Sequence, residues 1–334
     1  MSSTLRGVDL SSLDTELYDG CGVSKGELIT YLDVMADRLV AELTDRALSV
    51  VRARPGAEPF MQKNLPKHAP PWIASTSVWA ETSQRTVRYP LANDARTVLW
   101  LGNQRTVEFH PSLIRIDQHL AEELIMDLDP PPTDDVVAGF AQAAATAELV
   151  RRALAELGLV GQVKTSGAKG LHIRVPIEPT SFEDAAGATR ALAVRTARLD
   201  PDLATTEFVR DQRGGRVFVD STRAGGATLV SAWSPRARLG IPVSYPVSWD
   251  DLPGLDPRRF TVRTVPELVG EGDPCARRPT RSAATARRAR GRGPRDPRGQ
   301  GGGDARGTPP GAGEASDESG TRFVDVIESV GWSA

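Results

Sequence analysis

Cysteine is nearly absent: the 334 residues hold two, Cys21 and Cys275. Two thiols exclude a disulfide framework and a cysteine-based zinc site, and they suit a reducing cytoplasm, which is the expected location. No apolar run reaches the roughly 18 residues that argue for a membrane-spanning helix. The N-terminal stretch lacks the basic-then-apolar pattern of a secretory signal. Internal repeats are missing too, as is a strong charge of either sign, since the formal net charge is −2. That near-neutrality by itself argues weakly against a nucleic-acid partner. Its distribution matters more, because residues 277–306 hold ten arginines against Asp296 and Asp304. What is present is a 40% hydrophobic, 25% charged chain. Such a composition belongs to a globular protein with ample material for a core.

Composition changes sharply near Pro274. Residues 1–274 carry helix and strand periodicity and are expected to form the folded domain. Residues 275–320 are rich in Arg, Gly, Pro and Ala with almost no large apolar side chains, so they read as a disordered tail. Either a nucleic-acid tether or a plain solvated tail accounts for their arginines. Residues 321–334 have room for one short helix or strand of unknown role.

The folded part reads as mixed α/β (α+β). Ser24, with Glu27 three residues later, predicts a capping box opening a helix over 24–43. Residues 96–109 predict a helix and then a strand. The run 123–129, ELIMDLD, predicts a strand stopped by Pro130, Pro131 and Pro132. A long amphipathic helix follows, ending at Gly158. Then come a strand near 160–165, a glycine-containing turn, the strand LHIRVPI, a second helix over 181–199, and the strand RVFVD ending at Asp220.

Alternate residues of a strand share a face, so Asp127 and Asp129 stand side by side with Leu128 turned inward. If the strand ending at Asp220 is a neighbour, three carboxylates converge. Such a cluster repels itself unless a cation is present, and hard oxygen ligands select Mg²⁺ or Mn²⁺. Two such ions suit nucleotidyl transfer. Taken alone, an Asp-x-Asp at a strand end is more often a plain turn signal. In the turn, Ser166, Gly167, Lys169 and Gly170 offer small residues and a positive charge, with backbone N–H groups able to face phosphate oxygens. The spacing is not that of a Walker loop, and a simple hairpin turn is the competing reading. His172 and Arg174 share a face of the outgoing strand, and Arg213, Arg216, Arg223, Arg236 and Arg238 surround Asp220 along the chain. Arginines there serve either as structural ion-pair partners or as triphosphate ligands.

In their order MDLDPPP, SGAKGLHIRVP, RGGRVFVD and SPRARLGIPVSYPVSWDDL, these segments closely resemble the polymerase domain of bacterial DNA ligase D, in the archaeo-eukaryotic primase superfamily. The resemblance runs from about residue 8 to 270 and includes FMQKNLPKHAPPW and VLWLGNQRTVEFHP. It implies a primase-polymerase fold whose mixed central sheet bears the acid triad, flanked by helices. Asp127, Asp129 and Asp220 then resemble the catalytic, metal-binding triad for a two-metal Mn²⁺ or Mg²⁺ site. Ser166, Lys169, His172, Arg213 and Arg236 resemble the nucleotide contacts, and His110 matches a histidine near the active site. Phe60 falls in an aromatic pair beside the nascent base, although its partner position is Met61. Lys63 belongs to that motif. Lys25 matches one of two basic residues that grip a DNA 5′-phosphate.

The implied activity is addition of NTPs or dNTPs to DNA 3′ ends, with ribonucleotide preference. It would serve gap filling and end joining at breaks near the nucleoid, with Ku and a separate ATP-dependent DNA ligase as partners. Two departures stand out: Thr15 occupies the first basic position, and the chain turns low-complexity after DPC. No nucleotidyl-lysine or phosphoesterase motif is seen, which reads as a stand-alone form. Two other classes compete: a catalytically weakened DNA-end-binding module, and an Asp-x-Asp phosphohydrolase of the haloacid dehalogenase kind.

Overall fold

The computed structural model describes residues 3–80, 84–223 and 227–270. The expected tail and terminal segment at 275–334 lie outside the described residues. Two short strands open the chain, β1 (Ser3–Leu5) and β2 (Val8–Leu10), paired antiparallel. Ser24 caps α1 (Lys25–Val34) as expected: its side chain accepts from the Glu27 N–H while Glu27 reaches back to the Ser24 N–H. The expected single helix is broken at Met35 (φ −94°, ψ 4°), and α2 (Ala36–Leu43) follows. Neither proline nor glycine marks that break, so the sequence carries no punctuation for it.

Next come β3 (Leu48–Arg54), β4 (Ala57–Gln62), the hairpin β5 (Ser75–Ala80) and β6 (Arg85–Pro90), α3 (Ala95–Asn103) and β7 (Thr106–Pro111). Strands β4-β3-β7 form an antiparallel three-stranded sheet. One apolar cluster gathers Leu28, Leu32, Leu39, Val50, Leu99 and Phe109 with Trp233, Tyr245 and Phe260 from much later in the chain.

The second cluster lies under a six-stranded sheet. Its strands are β8 (Ala121–Asp129), β9 (Gln162–Thr165), β10 (Leu171–Thr180), β11 (Ala204–Thr205), β12 (Val217–Asp220) and β13 (Pro246–Val247), in the order β11-β12-β8-β10-β9-β13. Only the β11–β12 pair is parallel, so the sheet is mixed, as expected. Between the strands run α4 (Val136–Glu156), capped by Asp135, and α5 (Phe182–Leu199), capped by Ser181. Leu124, Met126, Leu128, Leu171, Ile173, Val217 and Val219 face these helices. By strand alternation the opposite face carries Asp127, Asp129, His172, Arg174 and Asp220. A short α6 (Val265–Gly270) ends the described part. Among the described residues no helix is long and apolar enough to cross a membrane.

Candidate active site

Register builds the site. Asp220 pairs with Asp127 across β12 and β8, Asp127 with His172 across β8 and β10, and His172 with Lys164 across β10 and β9. One row of polar side chains therefore crosses four adjacent strands on the face away from the helices. Asp129 lies two residues on, opposite Phe218. The sheet thus brings the three expected acids together.

Their surroundings differ. Asp127 is buried, with the His172 Nε2 3.3 Å from its Oδ1 and an Arg223 guanidinium nitrogen 3.5 Å from its Oδ2. Burial pushes its carboxyl up, but His172, Arg223 and Lys164 outweigh this and hold it below the ordinary value. Asp220 accepts from the Thr222 N–H (2.8 Å) and hydroxyl (2.6 Å), and Arg223 Nε stands 3.6 Å away. Asp129 is open to solvent at the strand end. Desolvation by its flanks and the charges of Asp127 and Asp220 push it up to about 6, against the pull of Arg213 and Arg223. His172 is pushed down to about 4 by burial and by Lys164, so its bond to Asp127 is one from a neutral imidazole to a carboxylate.

Among the described residues no three acids, histidines or cysteines are already gathered so as to enclose an ion. Arg223 lies across two of the three carboxylates instead. The donor set nonetheless fits a hard divalent cation: three carboxylates share one face, and Asp129 carries a repulsion that such a cation would relieve.

The turn between β9 and β10 is the hairpin of the competing reading, and it is closed from within. Ser166 Oγ accepts from the Ala168 and Gly170 N–H groups, each at 3.2 Å. Those two donors therefore turn inward rather than toward a phosphate, because a serine hydroxyl closes such a turn locally. Gly170 is required here: a Cβ on it would stand 2.4 Å from the Leu128 carbonyl oxygen. Lys169 packs its stem near Gly139 of α4.

A second cluster sits beside this turn. Arg236 donates to the Ser166 carbonyl and lies 3.1 Å from Glu108, which is also 2.7 Å from the His110 ring and accepts from the Ala237 N–H. Ser166, Arg236 and His110 are thus joined through Glu108, a residue the sequence reading did not single out. Its signal was available, since Glu108 and His110 alternate on one strand face. Lys164 was missed as well: QVKT reads as an ordinary short strand, and nothing in it marks the lysine as buried. Burial alone would push the Glu108 carboxyl up, but His110, Arg236 and the Ala237 N–H bring it down to about 2. A carboxyl lowered on folding stabilises the protein above its unfolded value and loses that contribution as pH falls through the folded one. Urea melts at stepwise lower pH should therefore show the wild type losing roughly 3 kcal/mol more than Glu108→Gln between neutrality and pH 2. Parallel pH curves would contradict this.

Three expected residues lie elsewhere or do other work. Arg213 donates to the Glu207 and Phe208 carbonyls and stacks 3.9 Å above the Phe218 ring, near enough to Asp129 to pull its pKa down. Phe60 is exposed on β4, with the Arg52 guanidinium 5.9 Å from its ring centre, and no described contact joins it to the acids. Lys25 departs most from expectation. It is buried, its Nζ donates to the Ser11 carbonyl at 2.6 Å, and burial with Arg105 nearby pushes it down to about 8. The cause is local. Its N–H bonds to the Thr15 carbonyl at the start of α1, which draws residues 11–15 over the side chain.

Comparison with known proteins bears on the family and the fold. Residues 24–275 match the family described as "LigD, primase-polymerase domain". The bifunctional non-homologous end joining protein LigD of Bacillus subtilis is 31% identical over 268 residues, covering 78% of this chain and 42% of that protein. The multifunctional non-homologous end joining DNA repair protein LigD of Mycobacterium tuberculosis is 31% identical over 264 residues, covering 75% of this chain and 34% of that protein. The chain thus spans less than half the length of either. A solved structure, the polymerase domain of Mycobacterium tuberculosis ligase D in complex with DNA, superposes with a TM-score of 0.72 at 30% identity, covering 80% of this chain and 95% of that one. By its sequence and its fold, the chain belongs to the LigD primase-polymerase domain family.

Proposed function

We propose that this chain is a metal-dependent nucleotidyltransferase that adds NTPs or dNTPs to DNA 3′ ends and fills gaps during non-homologous end joining. One observation carries the reading: Asp220, Asp127 and His172 stand in one row across the sheet, with Asp129 beside them. The related structure solved with DNA supports DNA as the substrate class. Asp127, Asp129 and Asp220 would hold Mg²⁺ or Mn²⁺, which when bound supplies activation of the 3′-hydroxyl and charge neutralisation at the phosphates. The chain's own groups do the positioning. His172 presents an N–H toward the acid face, Arg213 supplies positive charge beside it, Lys169 would meet the triphosphate from the Ser166 turn, and Arg236 braces that turn against β7. These are pre-set charges and donors, which is what an in-line phosphoryl displacement requires. Phe60 offers an exposed ring for the nascent base, and Met61 projects from the other face of the strand. Lys25 would reach a 5′-phosphate only after leaving Ser11. Residues 1–274 are proposed as the catalytic unit, with Ku and a separate ligase as partners.

A primed, gapped duplex with separate NTP and dNTP pools tests this. Wild type is expected to extend the primer with added Mn²⁺ or Mg²⁺ and to stop when a chelator is added. End binding without incorporation from either pool would overturn the reading in favour of a recruiting module. Phosphate release from small phosphoesters without extension would favour a phosphohydrolase.

A further inference from the structure

Lys164 has no part in the function proposed above, yet it is among the most buried charged side chains. It is 4% exposed on β9, in the same row as His172 and Asp127. A lysine so placed is costly unless its amine is fully engaged. Its Nζ lies 2.7 Å from His172 Nδ1 and 2.7 Å from Ser244 Oγ. The Ser244 hydroxyl hydrogen is committed elsewhere, because Oγ donates to the Thr165 carbonyl at 2.7 Å. Ser244 therefore accepts from Lys164, and the second N–H of Lys164 points at the imidazole. An ammonium has three donors and no acceptor, so as a cation Lys164 donates both bonds. His172 Nδ1 is consequently the acceptor. A neutral ring then carries its proton on Nε2, the nitrogen facing Asp127 at 3.3 Å.

We propose that Lys164 is a positioning residue: by donating into Nδ1 it holds His172 as the Nε2–H tautomer and aims that N–H at the acid face. The consequence rests on the polymerase reading. A donor aimed at that face attracts a phosphate oxygen, whereas the other tautomer would present a lone pair and repel it. Ser244, on the segment leading into β13, anchors the lysine and so couples that segment to the site. Among the described residues the side-chain bonds of Lys164 go to His172 and Ser244 and not to the acids.

Imidazole ¹⁵N spectra of the full chain at neutral pH read the tautomer directly. The chain has four histidines, and His172→Gln identifies the signal concerned. Wild type is expected to show His172 in the Nε2–H form alone. Lys164→Met should move the signals toward the Nδ1–H form or an average of the two. Ser244→Ala, which removes only the anchor of the lysine, should move them part of the way and serves if Lys164→Met does not fold. On gapped DNA, Lys164→Met is expected to raise the KM for nucleotide roughly tenfold, the value of one good hydrogen bond, with a smaller change in kcat. An Nδ1–H form in wild type, or unchanged spectra in both variants, overturns the proposal. A wild type showing the Nε2–H form but adding no nucleotide would overturn the polymerase reading and leave the positioning role supported.

Discussion

Asp127→Asn is expected to reduce nucleotide addition by about 1,000-fold or more while leaving the fold intact. The substitution keeps the shape of the side chain and an oxygen for the His172 N–H. What it removes is the charge at the centre of the row, between Asp220 on one side and His172 on the other. An in-line displacement leans on charge placed in advance, so a neutral amide there forfeits several kcal/mol of transition-state stabilisation. Stability should fall only modestly: the substitution forfeits the attraction of His172, Arg223 and Lys164 for the Asp127 charge, and relief of the repulsion that raises Asp129 offsets part of that loss. Gap-extension rates and thermal melts on the same preparations check both halves. Activity within tenfold of wild type would remove Asp127 from the chemistry. A collapse in melting temperature would make its role structural.

Arg174→Met is expected to destabilise the protein by about 3–5 kcal/mol, a large share of the roughly 5–15 kcal/mol available to a folded domain. Arg174 projects from β10 and grips Glu123 of β8 with two nitrogens, at 2.7 and 3.0 Å, and Glu42 of α2 with a third at 2.7 Å. Glu42 is on the helix that packs in the first apolar cluster, while β8 and β10 cover the second. One guanidinium therefore ties the two halves of the molecule together. Both glutamates and the sheet shield it from water, and their charges raise its pKa further despite burial. Removing the cation leaves two poorly solvated carboxylates facing each other without it. The cost comes from that, more than from any net gain of the bridge itself. Urea denaturation at neutral pH measures it. Replacing Glu42, Glu123 and Arg174 together with apolar residues of similar volume should recover most of the loss. A loss under about 1 kcal/mol in Arg174→Met would show the triad to be screened by solvent.

The sequence by itself determined the local pieces. Ser24 with Glu27 predicted a helix start that the structure has, and the strand period placed Asp127 and Asp129 on one face with Leu128 in the core. The order of four motifs, beyond any one of them, carried the family. These signals are legible because capping and alternation depend on residues a few positions apart. What lay beyond the sequence was every pairing across strands. Asp220 stands opposite Asp127 only because β12 and β8 take one register; a slip of one residue would turn its carboxylate toward the helices. Tertiary structure alone decided that Arg223 lies across two carboxylates, that Glu108 joins His110 to Arg236, and that Lys25 is held under residues 11–15. It also put Ser244, which no sequence signal marks, against Lys164 and so behind His172. Several of these contacts, Lys164 with Ser244, Arg223 with Asp127 and Arg236 with Glu108, join segments 80 or more residues apart. They are set by how the whole sheet and the two apolar clusters close on each other, which no local pattern encodes.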